Sequence, residues 1–399
     1  MKKKILFMLK MVDCGGVEQA LLNLLDVIDK DKFECELILK KKKGEYLDRF
    51  EKRVKVSEIC TQEYIKDYLI DETMPKISDG SNIKEKISYC TLYAIHQLNR
   101  ITKKFFKKNI VYKYAFSKCN IAKENIDVAI DYMGYGSFTT YYISKLNKDI
   151  LKYSWIHEQR MTEAFEWNKN RYKKFEKIYA VCQDCADVFV TKFPMYREKV
   201  GVMHNILDLE NIHEKSMEEL EVEYLSDFMI LSVGRLAEQK TFDRAVEAAN
   251  VLKNDGERFK WVIIGEGPER NRIQKLIDKY KLNDYVILHG YESNPFPYFR
   301  KADLYVQTSK AEGYCTTITE ATVLGKAVVT TDVTGVYEQL ANGKGGIIVH
   351  KDYNEVASAI KEFMHNEEKK RSCSEFNLNR NYDYAGENRA FFEKVYKSV

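Results

Sequence analysis

The 399-residue chain has only five prolines and no low-complexity run, which excludes a fibrous or linker-rich protein. No stretch approaches the ~18 consecutive apolar residues of a membrane-spanning helix. The basic start Met1–Lys4 leads into an apolar run of only Ile5–Leu9 before Asp13 and two glycines, so no secretory leader is expected. Nine cysteines, an odd number at irregular spacing, make no disulfide framework and fit a reducing cytosol. The lone Cys182-Gln183-Asp184-Cys185 lacks a second pair or a histidine cluster to complete a zinc site. Disorder is excluded by 27 Tyr, 20 Phe and 3 Trp.

What is present suits two domains, each with its own core: 45% of residues are hydrophobic and 31% charged. Charge is uneven. The formal net is +4, yet residues 76–123 carry 11 Lys/Arg against Asp79 and Glu85, so the rest of the chain is net acidic. That local field suggests an anionic surface as partner.

The strand Ile5–Leu9, the turn Asp13–Gly16, a helix with Val17, Leu21, Leu24, Leu25 and Ile28 on one face, and the strand Cys35–Leu39 begin a parallel α/β sheet. Residues 60–123 read as helical. Further strands are expected at Val128–Ile130, Tyr153–Ile156, Ile178–Val181 and Val200–Met203. The acidic Leu209–Asp227 reads as a connector. A second series follows at Met229–Val233, Trp261–Ile264, Val286–Leu288, Leu304–Gln307, Ala327–Thr330 and Ile347–Val349, with helices at Glu238–Leu252, Glu269–Tyr280 and Glu387–Tyr396. The expected fold is α/β with two Rossmann-like, doubly wound domains, 1–205 and 206–384, and a terminal helix 385–399 packing back on the first. Ligands of such sheets sit beyond the carboxyl ends of the strands, which points to a cleft between the domains.

Four features lie at those ends. Gly15-Gly16 precedes a helix, where free N–H groups and the positive dipole favour an anion; a plain strand-to-helix turn is the other reading. Gly234-Arg235 with Lys240 follows Met229–Val233. Each cation there is worth roughly 4 kcal/mol against a phosphate charge ~4 Å away before desolvation, enough to hold a diphosphate, although a solvated loop is the alternative. Glu312 and Glu320 stand with seven residues between them on a loop that opens a helix. Thr317 and Glu320 fit a capping box, and the amides of Thr316–Ile318 face an anion. His157, after Tyr153–Ile156, reads as a structural histidine or as a hydrogen-bond partner of a hydroxyl or phosphate.

These residues resemble glycosyltransferase family 4, of the GT-B fold. The resemblance covers nearly the whole chain and is strongest over 229–350. It rests on Gly15-Gly16-Val17-Glu18, Val233-Gly234-Arg235-Leu236 with Gln239-Lys240, Ile264-Gly265-Glu266-Gly267-Pro268-Glu269, the Glu312…Glu320 pair, Gly325–Val329 and Gly345-Gly346. It implies that Arg235 and Lys240 bind the donor diphosphate, with Thr316 and Thr317 beside them, and that Glu320 holds the ribose. It also implies that Glu312 faces the donor sugar, that Gly16 approaches the phosphates and that His157 contacts sugar or acceptor. A retaining, metal-independent transfer from a nucleotide sugar, uridine by resemblance, to a glycan or lipid-linked acceptor of bacterial surface polysaccharide follows. Thr241, Cys315 and Ala327 depart from the usual glycine, glycine or proline, and proline of that family.

Residues 98–118, drawn as one helix, put Leu98, Ile101, Phe105, Tyr112 and Phe116 on one face and Arg100, Lys103, Lys104, Lys107 and Lys118 on the other. That suits a peripheral helix on the inner face of a membrane, or an amphipathic helix packed on its own domain. No motif accompanies the patch to suggest nucleic acid. Asp29-Lys30-Asp31 follows a helix and reads as a solvated turn, so no metal is expected. A nucleotide-sugar epimerase of similar fold and a non-catalytic sugar-nucleotide-binding partner of another transferase stay open; a dehydrogenase lacks its G-x-G-x-x-G.

Overall fold

The computed structural model describes residues 2–13, 15–76, 82–120, 126–134, 136–220 and 228–399. The chain divides into unit 1, Met1–Ile206 with Tyr384–Val399, and unit 2, Leu207–Asp383. Unit 1 runs β1 (Lys3–Leu9), α1 (Gly16–Val27), β2 (Phe33–Leu39), α2 (Leu47–Glu51), β3 (Lys55–Glu58), α3 (Glu63–Asp71), α4 (Ile83–Phe106), α5 (Val111–Lys118) and β4 (Val128–Asp131). It continues through α6 (Phe138–Ile143), β5 (Leu151–Ile156), α7 (Glu163–Asn168), β6 (Lys177–Ala180), α8 (Gln183–Lys192) and β7 (Val200–Val202). Its parallel sheet has the order β3-β2-β1-β4-β5-β6-β7.

Unit 2 runs α9 (Leu209–Ser216), β8 (Phe228–Val233), α10 (Phe242–Asn254), β9 (Phe259–Ile264), α11 (Arg270–Lys279), β10 (Val286–Gly290), α12 (Phe296–Lys301) and β11 (Leu304–Gln307). Then come α13 (Thr316–Val323), β12 (Val328–Thr331), α14 (Val336–Gln339), β13 (Gly346–Val349), α15 (Tyr353–His365) and α16 (Glu367–Leu378). The final helix, α17 (Ala385–Ser398), belongs to unit 1. Unit 2's parallel sheet has the order β10-β9-β8-β11-β12-β13.

Apolar runs become strands here because both faces of each sheet are covered. Side chains alternate between two cores on opposite faces of unit 2. Ile230, Trp261, Ile263, Leu304 and Val306 pack on one. Met229, Leu231, Val262, Ile264 and Tyr305 pack on the other. In unit 1, Phe391, Phe392 and Val395 of α17 join Ile5, Phe7, Ile130 and Trp155 in one core.

Two expectations change. Residues 98–118 are not one helix: α4 stops at Lys107, which takes φ 50°, and α5 begins after Ile110. Asn99 makes this break by accepting the Ile110 N–H at 2.7 Å. Tyr112 is consequently buried and its hydroxyl donates to Glu72, so it leaves the exposed face. Leu209–Asp227 is not all connector either. Its first part is α9, whose Ile212 packs with Val323 and Tyr382, while 221–227 lie outside the described residues. The short strand β3 has too few apolar residues for the periodicity to reveal it.

Candidate functional site

Strand order reverses between β8 and β11 of unit 2 and between β1 and β4 of unit 1. At such a switch point the flanking loops diverge and leave room for a ligand beyond the carboxyl ends. Gly234, Arg235 and Lys240 follow β8 directly, and Thr308 to Glu312 follow β11. Sequence order thus delivers the candidate cations and Glu312 to the same edge.

Backbone contacts fix the first of these loops. Gly234 N–H donates to the Ile264 carbonyl at 2.9 Å, and Leu236 N–H to the Glu266 carbonyl at 2.9 Å. A Cβ on Gly265 would fall 2.0 Å from the Gly234 oxygen, and one on Gly267 would fall 2.3 Å from the Leu236 oxygen. The Gly-x-Gly at 265–267 is therefore a packing requirement between loops. The second loop is clipped to the first: Lys310 N–H donates to the Gln239 carbonyl at 2.9 Å, Gln239 Nε2 to the Ala311 carbonyl at 2.8 Å, and the Arg244 guanidinium to the Thr308 carbonyl.

On this frame Lys240 Nζ donates to Glu312 Oε1 at 2.8 Å, with Cys315 Sγ at 3.9 Å. Ser309 Oγ donates to the same carboxylate oxygen at 2.5 Å. Gln307 Nε2 in turn donates to Ser309 Oγ at 2.7 Å, and Tyr305 Oη to Gln307 Oε1 at 2.6 Å. Among the described residues no hydrogen bond involves Oε2 of Glu312, so one oxygen is anchored and the other stays available. The side chains of Lys240 and Glu312 are 18% and 9% exposed, so their attraction is less screened than a surface pair's. Burial works against the Lys240 charge. Cys315, Glu312 and the hydrogen bond to Glu312 nonetheless hold its pKa above the ordinary lysine value. Burial, and then the Glu312 charge, push the Cys315 thiol up, so it is neutral near pH 7 and Glu312 is the anion that balances Lys240. Arg235 is exposed, and its guanidinium has no hydrogen bond or ion pair among the described residues.

The expected capping box at Thr317 does not form. Cys315 is the N-cap of α13 and makes no side-chain cap. Thr317 Oγ1 is instead hydrogen-bonded to Tyr305 Oη at 2.8 Å, inside the first turn. The Ile318 N–H is taken by the Cys315 carbonyl at 3.1 Å, which leaves Thr316 and Thr317 as the candidate amides for an anion. Gln339 holds this helix start, donating to the Cys315 carbonyl at 2.7 Å and to Thr319 Oγ1 at 2.8 Å. Glu320 makes no cap; burial raises its pKa to about 7, the Lys240 charge opposing.

Unit 1 carries Gly16 and His157. Gly16 opens α1 and is exposed, and Gly15 is its N-cap. Glu18 lies over Gly15, where an added Cβ would meet its Oε2 at 2.4 Å. Burial raises Glu18 to about 7. His157 is buried against the Tyr132 ring, centroids 4.8 Å apart, and neither ring nitrogen has a hydrogen bond of good geometry among the described residues. Burial lowers its pKa to about 3, the Tyr132 backbone acting less strongly the other way, so it is a neutral imidazole throughout the physiological range. Such a group exchanges hydrogen bonds but supplies no proton near pH 7.

Residues 215–380 match the family model of glycosyl transferases group 1. The chain is 32% identical over 182 residues to the N-acetylgalactosamine-N,N'-diacetylbacillosaminyl-diphospho-undecaprenol 4-alpha-N-acetylgalactosaminyltransferase of Campylobacter jejuni, covering 45% of this chain and 48% of that protein. It is 24% identical over 273 residues to the poly(ribitol-phosphate) alpha-N-acetylglucosaminyltransferase of Staphylococcus aureus, covering 67% and 54%. The chain thus spans about half the length of these curated relatives. The crystal structure of Anabaena HepE with UDP and glucose superposes over 100% of both chains with a TM-score of 0.71 at 16% identity. That likeness shows the fold, two parallel-sheet α/β units of GT-B type.

The structure thus brings Lys240 and Glu312 onto neighbouring loops of unit 2, with Thr316, Thr317 and Glu320 in α13 directly after the second loop and Arg235 at the start of the same edge. The residues that hold them, Tyr305, Gln307, Ser309 and Gln339, escaped the sequence reading. A signal was present: Tyr305, Gln307 and Ser309 alternate as polar positions along the end of an apolar strand.

Proposed function

We propose that the protein is a glycosyltransferase of family 4 that moves a sugar from a nucleoside diphosphate, uridine diphosphate by preference, to a glycan or lipid-linked acceptor of a surface polysaccharide, with retention and without a metal. The observation that carries this reading is the Lys240–Glu312 pair on the two loops flanking the switch point of unit 2. It agrees with the glycosyl transferase match over 215–380, and with relatives named for transfer to an undecaprenol-linked or polyol-phosphate acceptor.

The chemistry follows from the groups present. The leaving diphosphate gains one negative charge as its bond to the anomeric carbon breaks, and Arg235, Lys240 and the first amides of α13 supply fixed donors for it. Lys240 has three N–H groups and spends one on Glu312. Glu312, anchored by Oε1, offers Oε2 to a sugar hydroxyl and its charge to a developing oxocarbenium centre. Glu320 accepts from ribose hydroxyls. Gly16 would let a backbone approach phosphate, and His157, neutral, would accept from or donate to a hydroxyl. No general base is assigned; the departing phosphate oxygen takes the acceptor's proton.

A thermal-shift screen of nucleotide sugars tests the donor, since a ligand at 100 times its Kd stabilises by ~2.7 kcal/mol. Turnover tests the residues: Lys240→Ala and Glu312→Gln are each expected to lose about 100-fold or more. Near-normal rates in both would remove the residue assignment. Conversion of donor without acceptor would favour an epimerase, and donor binding with neither transfer nor hydrolysis would favour a non-catalytic partner.

A further inference from the structure

Helix α4 shows solvent an apolar stripe that nothing in the transferase reading uses. Seven of the fourteen large hydrophobic side chains exposed among the described residues sit on this one helix, including Ile83 at 76%, Ile87 at 63%, Ile101 at 52% and Phe105 at 69%. Scattered surface hydrophobics need no explanation, but a contiguous patch does. At 100° per residue Ile83, Ile87, Ala94, Ile101 and Phe105 fall within about 40° of one line along the helix, opposite buried Leu92 and Asn99 that face the unit. Lys86, Arg100 and Lys104 border the stripe on one side, and none of the three forms an ion pair among the described residues. The only acidic residue of α4, Glu85, is turned to the N-terminus, where it closes a capping box with Asn82.

We propose that this face of α4 docks the protein on an anionic lipid bilayer, the isoleucines and Phe105 entering the interface while Lys86, Arg100 and Lys104 meet lipid phosphates. An apolar stripe bordered by unpaired cations, with no carboxylate on the outward side, is complementary to acyl chains beneath anionic headgroups. A second copy of the chain fits worse. Pairing two such helices face to face sets their basic borders together with no acidic residue to offset them. The proposal rests on α4 alone and stands apart from the transferase reading.

Flotation of the full chain tests it, using phosphatidylglycerol/phosphatidylcholine vesicles against phosphatidylcholine alone. Binding is expected only to the anionic vesicles at low salt, and to fade at ~1 M salt, where the Debye length is ~3 Å. The triple variant Lys86→Gln, Arg100→Gln, Lys104→Gln should partition about 100-fold more weakly, at roughly fivefold per cation. Ile87→Glu with Ile101→Glu should lose at least about tenfold. All five positions are exposed, so both variants should keep the parent's melting temperature and any UDP-induced shift. Absence of flotation on anionic vesicles, or flotation unchanged in both variants, would overturn the proposal. A dimer split by Ile87→Glu with Ile101→Glu would hand the face to a second copy instead.

Discussion

Thr241 holds φ 53°, a left-handed conformation that a β-branched residue reaches only under strain. It is the N-cap of α10 yet caps nothing with its side chain; its hydroxyl makes two long contacts of 3.3 Å to the Glu238 and Gln239 carbonyls. The position is kept there because its carbonyl accepts from Thr308 Oγ1 at 3.1 Å, tying the Lys240 loop to the Glu312 loop. Thr241→Gly should therefore stabilise the protein by about 1 kcal/mol in urea unfolding, whereas Thr241→Ala should not. Glu320 carries a second residue-scale expectation. Its folded pKa of about 7 lies above the ordinary 4.5, so between those values the native state holds the extra proton. The stability this contributes is complete below pH 4.5 and is lost as pH rises through 7. In the role proposed for Glu320, ribose hydroxyls prefer the ionised form, so UDP should bind more tightly as pH rises from 6 to 8, and Glu320→Gln should flatten that profile in calorimetry.

At the scale of elements, an oxygen-bearing N-cap followed three residues later by glutamate closes a capping box at Asn82, a site the sequence reading did not single out, and not at Thr317, where one was expected. Asn82 accepts the Glu85 N–H at 2.9 Å while Glu85 Oε2 accepts the Asn82 N–H at 3.2 Å. At Thr317 the same letters fail, because the helix begins two residues earlier and Tyr305 engages the hydroxyl. Asn82→Ala should cost about 1 kcal/mol, visible as faster amide exchange in the first turn of α4 alone. The contrast shows what was legible. Strands of both sheets other than β3 stood out because they are apolar on both faces, and the loops after β8 and β11 followed from them. The end of α4 at Lys107 did not, since it depends on Asn99 reaching the Ile110 amide, a contact that periodicity cannot register. Likewise Lys240, Arg235 and Glu312 could be picked from the sequence by charge and position. That Glu312 is anchored by Lys240 through one oxygen is a fact of the folded loops.

At the scale of the whole molecule the chain leaves unit 1 after Ile206 and returns to it at Tyr384, so the last helix completes the core that the first strand begins. Phe391 of α17 makes edge-on contacts with Tyr153, Trp155 and Tyr179, centroids 5.0, 5.6 and 5.3 Å away, and Phe392 meets Phe33 at 5.9 Å. Asn388 donates to the Tyr384 carbonyl at 2.9 Å, and Lys32 pairs with Glu393. The cores of unit 2 take no residue from α17. Phe391→Ala should consequently cost about 3–5 kcal/mol, the usual range for emptying a buried phenylalanine site. Deleting 385–399 removes Phe392 and Val395 as well and exceeds what a marginally stable unit can lose. In hydrogen exchange the truncated protein should lose protection in β1, β4 and β5, more than two hundred residues away in sequence, while β8 and β11 keep theirs. Protection retained in β1 would mean that unit 1 closes its core without α17, and protection lost equally in β8 would mean that the two units unfold as one.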